Sequence, residues 1–123
     1  MRAFVVGMLV LAACGGSASD DPRAALVARW KANGLETSAL EAAPESVVGT
    51  DCKTTHVHAL EILLCSFKTP AEAKAAENAG YAWVGEATGA VRASTSVLVA
   101  VADRRKTDPS GKTINQLMKL APK

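Results

Sequence analysis

Apolar and polar positions split the chain into an uninterrupted N-terminal run and a patterned remainder. From Ala3 to Ala13 no charged residue occurs, and Arg2 is the only charge before Cys14. The run is too short to cross a hydrocarbon core, which takes about 20 apolar residues. After Cys14 the stretch Gly15-Gly16-Ser17-Ala18-Ser19-Asp20-Asp21 is small and polar, the composition of a flexible linker. Periodicity begins at Pro22. Leu26, Val27 and Trp30 share one helical face. Asp21 suits an N-cap, Pro22 the first turn, and Asn33-Gly34 a left-handed stop. These signals predict a helix over 22–33. Residues 35–51 carry a weaker pattern: Leu35, Ala39 and Leu40 fit a short strand, and Ala43-Pro44-Glu45-Ser46 a turn.

The segment Cys52–Cys65 is dominated by β-branched and apolar residues, with a strong strand from Leu60 to Phe67. A two-residue turn at His58-Ala59 would set Val57 opposite Leu60, His56 opposite Glu61, and Cys52 opposite Cys65. Bonded and non-bonded pairs alternate away from such a turn, so the cysteines would occupy a non-hydrogen-bonded pair, where side chains lie closer. His-Ala lacks the Gly or Asn that tight hairpins favour, and a three- or four-residue loop would shift this register. Thr69-Pro70-Ala71-Glu72 is a capping box that opens a second helix. Ala73, Ala76 and Ala79 suit close packing there, and Gly80 either ends the helix or lets it run on through Trp83.

Two more strands, Thr88–Ser94 and Val97–Ala102, flank Thr95-Ser96. The second is almost wholly apolar, as expected of a central strand buried on both faces. Asp108-Pro109-Ser110-Gly111 reads as a turn, and Thr113 with Gln116 as a capping box for a last helix carrying Ile114, Leu117, Met118 and Leu120. The order is helix, hairpin, helix, hairpin, helix. It predicts one α+β domain over 22–123: a small two-layer domain, with an antiparallel sheet of about four strands built from two hairpins and two or three helices on one face.

Leu11-Ala12-Ala13-Cys14 ends the apolar run with small residues directly before a cysteine. It resembles the lipobox of bacterial prolipoproteins. The resemblance covers residues 1–14. It implies that residues 1–13 are a cleaved signal peptide, that Cys14 becomes the diacylglycerated N-terminus, and that residues 14–21 form the lipidated cysteine and its linker. It further implies a bacterial envelope protein anchored in a membrane through Cys14. Gly15, standing where an aspartate favours the inner membrane, points to the outer membrane facing the periplasm. The globular part also looks like other small bacterial lipoproteins with a cysteine pair spanning a hairpin and an Ala-rich helix after it, a likeness that carries no activity with it.

Three cysteines are present, and lipidation of Cys14 leaves Cys52 and Cys65, an even pair in an oxidising compartment, so a disulfide between them is expected. Aromatics are scarce, leaving Val, Leu, Ile and Ala to build the core. Charge is uneven. Eight acidic and three basic residues lie between Glu36 and Glu86, against two acidic and six basic between Asp103 and Lys123. A basic C-terminal segment attracts anionic head groups or an acidic partner, or is simply a solvated helix face. Nucleic acid is not expected outside the cytoplasm, and the aromatic interleaving of single-strand binders is missing.

Candidate chemistry is thin. His56 and His58, with Cys52 and Cys65 close by, are of zinc-ligand type, but a disulfide would remove two of the four. Gly111-Lys112-Thr113 has the end of a P-loop, yet Lys106 stands where that motif needs glycine. No Gly-x-Ser-x-Gly elbow occurs, and Glu61, Glu72 and Glu86 read as surface charges rather than a glycosidase pair. Phe67, Tyr81 and Trp83 either mark a binding surface or pack in the core. The expectation is a non-catalytic envelope lipoprotein without cofactor, with a binding or structural role towards an envelope protein or small ligand. The alternatives are a metal-binding or metal-sensing module using His56 and His58, and a small extracytoplasmic hydrolase.

Overall fold

The computed structural model describes residues 21–43 and 48–122. Cys14, the expected signal segment 1–13, residues 14–20 of the expected linker, and most of the Ala43–Ser46 turn lie outside the described residues. Nine elements follow in order: α1 (Pro22–Ala32), β1 (Glu41–Ala42), β2 (Cys52–Val57), β3 (Leu60–Ser66), α2 (Pro70–Ala75), α3 (Glu77–Val84), β4 (Thr88–Ser94), β5 (Val97–Asp103) and α4 (Lys112–Lys119). The strands form one antiparallel sheet in the order β1-β2-β3-β5-β4. The protein is a small α+β domain, as the pattern predicts. The short edge strand β1 makes five strands where about four are expected.

The two predicted hairpins form with two-residue turns. In the first, Val57 pairs with Leu60, His56 with Glu61 and Cys52 with Cys65. Ser66 N–H donates to the Asp51 carbonyl at 2.9 Å, the bond that flanks a non-hydrogen-bonded pair. The Cys52 and Cys65 Cα atoms are 4.0 Å apart and a disulfide joins them. Turn residues His58 (φ 57°) and Thr95 (φ 55°) take the left-handed region without being glycine. A positive φ at only the first central residue is the sign pattern of a type II′ turn, whose twist matches the flanking strands. Twist compatibility thus overrides residue preference at both tips.

Strand β5 is buried at every position, and alternate residues enter two separate cores. Val97, Val99 and Val101 join Ile62 and Leu64 beneath α1 and α4, where Trp30 and Leu117 are fully buried. Leu98, Ala100 and Ala102 join Leu63 and the disulfide beneath α3, with Ala76, Ala79 and Trp83 packed on them. Helices α1 and α4 share one face, as expected. The α2–α3 pair covers the reverse face, adding a third layer that a two-sided apolar β5 requires.

Local signals explain most helix ends. Asp21 caps α1 by accepting the Arg23 N–H. Gly34 N–H returns to the Lys31 carbonyl and Leu35 N–H to that of Trp30, a Schellman end with buried Leu35 as its apolar contact. Thr69 caps α2 through Glu72 N–H, and the Glu72 carboxylate reaches back to Lys68 N–H. The helix breaks at Ala76 and restarts as α3, which passes through Gly80 and Trp83 to Val84. A Cβ at Gly80 would lie 2.7 Å from Val91 Cγ1 and 3.1 Å from Leu98 Cδ2, so glycine is what lets α3 sit this close to the sheet.

The expected capping box at α4 is corrected. The helix begins at Lys112, and Gly111, at its N-cap position, supplies no side-chain bond. The buried Asp108 carboxylate does so instead, accepting Thr113 N–H at 3.2 Å and Ile114 N–H at 2.9 Å. A carboxylate satisfies two orphan donors and complements the helix dipole better than a neutral hydroxyl.

Candidate functional site

The Schellman end of α1 turns the chain sharply, and residues 35–38 then run along the outer edge of β2. Thr37 bridges to Val57, and Ser38 N–H donates to the His56 carbonyl at 2.9 Å. Between this segment and the tip of the first hairpin lies an open groove, lined among the described residues by Lys31, Gly34, Leu35, Glu36, Thr37, Ser38, His56 and His58. Both histidines singled out in the sequence are therefore in it, together with Lys31 and Glu36, which were not.

The groove floor is polar but already satisfied. Ser38 Oγ accepts His56 N–H at 2.9 Å and lies 3.0 Å from Thr55 Oγ1, which itself donates to the Ser38 carbonyl. Thr37 Oγ1 donates to the Leu35 carbonyl. The side chains of Lys31, Glu36, His56 and His58 are exposed, and these would meet a ligand. Ser38 has a hydroxyl and a backbone amide on its Oγ, not an imidazole, so it is not arranged as a nucleophile with a base. Glu61 stands opposite His56 in the ladder, but its carboxylate is held by Arg104 Nε at 2.8 Å.

The metal alternative finds no support. Cys52 and Cys65 are bonded to each other, and among the described residues no group of three or more His, Cys, Asp or Glu could hold a metal ion. Of the aromatics, Phe67 and Trp83 pack against the α3-side core, and Tyr81 is exposed. Trp83 also carries the Arg104 guanidinium 4.8 Å above its ring.

Two charged clusters were not foreseen, and both serve the frame. Arg23 is buried, with Nε and Nη2 forked onto the Asp21 carboxylate at 3.0 Å each and Nη1 on the Asp51 carbonyl at 2.8 Å. That hydrogen-bonded pairing with Arg23 holds the Asp21 carboxyl below its usual range, against the opposing effect of burial. The cluster ties the start of α1 to the residue before the disulfide. At the other end of the sheet, burial pushes the Asp103 carboxyl up, but N–H groups of Thr107 and Asp108 at 2.9 Å outweigh it and hold its pKa below the ordinary value.

Arginines from the second hairpin cap helix C-termini. Arg92 donates to the Met118 and Ala121 carbonyls, and Arg104 to those of Trp83 and Val84. Among the described residues, no helix is long and apolar enough to cross a membrane. Compared with known proteins, the chain matches no family model, no curated protein and no solved structure.

Proposed function

We propose that this is a non-catalytic binding module of the bacterial envelope, tethered to a membrane through a lipid on Cys14 and presenting the His56/His58 groove to an envelope protein or small ligand. The observation that carries the reading is the Cys52–Cys65 disulfide. A buried cystine belongs to an oxidising compartment, which is where the lipobox-like Leu11-Ala12-Ala13-Cys14 would send the chain. Gly15 after the cysteine favours the outer membrane.

The geometry suits a tether. Asp21 sits at the disulfide pole, held there through Arg23 and Asp51. Helix α1 then runs its 11 residues, about 16 Å at 1.5 Å per residue, to the groove. A chain anchored ahead of Asp21 would hold the groove at the far pole, away from the lipid. The groove offers exposed charge and imidazole over a floor of satisfied hydroxyls, a surface for recognition rather than for bond cleavage.

Intact mass of the protein extracted from its native membrane, with and without reduction and alkylation, tests the anchor. The expected result is loss of residues 1–13, added acyl mass, and two thiols that appear only on reduction. An unacylated chain retaining residues 1–13 would sink the reading. For the groove, photo-cross-linkers placed at Glu36 and His58 in intact cells should capture one discrete partner, while one placed at Lys68 should not.

A further inference from the structure

The two edges of the sheet are treated differently. The β2 edge is closed: Glu41 and Ala42 pair with Thr54 and Lys53, and Ser38 and Ala43 bond to His56 and Cys52. The β4 edge carries no such strand. Its ladder to β5 runs without a bulge from Thr88↔Asp103 to Ser94↔Val97. Because Ser94 and Val97 flank a two-residue turn, they form a bonded pair, so alternate residues Gly89, Val91 and Ala93 direct their N–H and C=O groups outward. Ala93 N–H donates to Glu77 Oε2 at 3.0 Å, which agrees with that assignment. No described residue bonds the outward groups of Gly89 or Val91. The usual guards of an edge are missing as well: β4 has no Pro and no Lys, and its single long charged side chain, Arg92, is turned to the carbonyls of α4.

We propose that this edge is a self-association site, at which β4 of a second copy pairs antiparallel across a two-fold axis centred on Val91. A two-fold contact must be self-complementary, and this register is. Val91 meets its own copy, Gly89 meets Ala93, and Ala90 meets Arg92, so no like charges stand opposite each other. Centring on Arg92 instead would oppose two arginines. The Val91 register also brings the Lys74/Glu77 end of one copy beside the end of the other that follows Glu86. Lys74 is 77% exposed and Glu86 is exposed, so the charges match. Antiparallel pairing extends the sheet without inverting it. Helices α1 and α4 of both copies then lie on one side, and both chains enter α1 from that side.

Sedimentation equilibrium and site-resolved amide exchange on the purified full chain, in density-matched detergent and from low to high protein concentration, test this. The expected result is a dimer mass at high concentration with exchange at Gly89 and Val91 slowed about tenfold. Val91→Pro removes only an outward donor and should remain folded by Trp30 fluorescence yet monomeric. Glu77→Ala frees the Ala93 N–H and should tighten the dimer severalfold. A dimer with unprotected Gly89 and Val91 amides would place the contact elsewhere and overturn the proposal. So would a monomer with fast exchange at every concentration, or protection of these amides without a dimer mass, which would mean another occupant.

Discussion

At the residue scale, the buried charges are fixed by what donates to them. Asp103 is 3% exposed, and an unpartnered carboxylate there would protonate rather than stay charged. Thr107 and Asp108 instead offer it two backbone N–H groups, and Thr107 adds its hydroxyl. These bonds hold the turn after β5 and, through the neighbouring Asp108, the start of α4. The Asp103 carboxyl titrates below its ordinary value in the folded chain. Its contribution to stability is therefore complete above that ordinary value and is lost as pH falls through the lower folded one. Asp21, lowered by Arg23, adds to the same trend. Chemical denaturation at a series of pH values should show stability falling between about pH 4 and pH 2. Asp103→Asn, which keeps the shape but cannot titrate, should be less stable at neutral pH and should flatten that fall. An unchanged slope in the variant would mean that Asp103 is not one of the groups responsible.

At the element scale, α3 shows how a poor helix former becomes necessary. Glycine in a helix interior costs about 1 kcal/mol relative to alanine, so propensity alone says that Gly80→Ala should stabilise. Contact says otherwise, since the new Cβ would fall 2.7 Å from Val91 Cγ1 and 3.1 Å from Leu98 Cδ2. Forcing one carbon into a packed core costs typically about 1–3 kcal/mol. We expect the variant to lose about 1–2 kcal/mol in urea denaturation, after the propensity gain is subtracted. A more stable variant would show that α3 can lift from the sheet without cost. The same element marks how far the sequence could be read. Asp21-Pro22 and Thr69-Pro70 announced their helices because a cap is a local device. The register from Cys52 to Cys65 followed from a two-residue turn and a period of two. Strand β1 was not legible, because two exposed residues carry no periodicity and exist as a strand only through Thr54 and Lys53. The Arg23 cluster was hidden for a related reason: Asp51 is 28 positions away, and only the packed chain brings them together. The groove was half legible. His56 and His58 stood out by residue type, while Lys31 and Glu36 reach it through the Schellman turn at Gly34, whose direction no pattern of apolar spacing encodes.

At the scale of the whole molecule, the disulfide and the groove sit at opposite ends of β2, which separates two ways in which the crosslink could act. Cys52 and Cys65 close a short loop, with a sequence separation of 13. In the chain-entropy model such a loop contributes about 3 kcal/mol by restricting the unfolded chain. That term leaves no trace in the folded structure, so groove geometry would be indifferent to it. The other possibility is that the crosslink holds β2 in register, and with it the edge segment 37–43 that walls the groove. The ladder argues for the first. Thr55 and Val57 are fully buried and bonded into the hairpin, and Ser38 is fixed to Thr55 and His56 by bonds that do not involve the cysteines. The double variant Cys52→Ala, Cys65→Ala should therefore lose about 3 kcal/mol in urea denaturation, while the imidazole NMR signals of His56 and His58 keep their positions under native conditions. Displaced histidine signals with a small stability loss would reverse the assignment. The cystine would then be part of the groove's architecture, and reduction would be a route to altering what the groove binds.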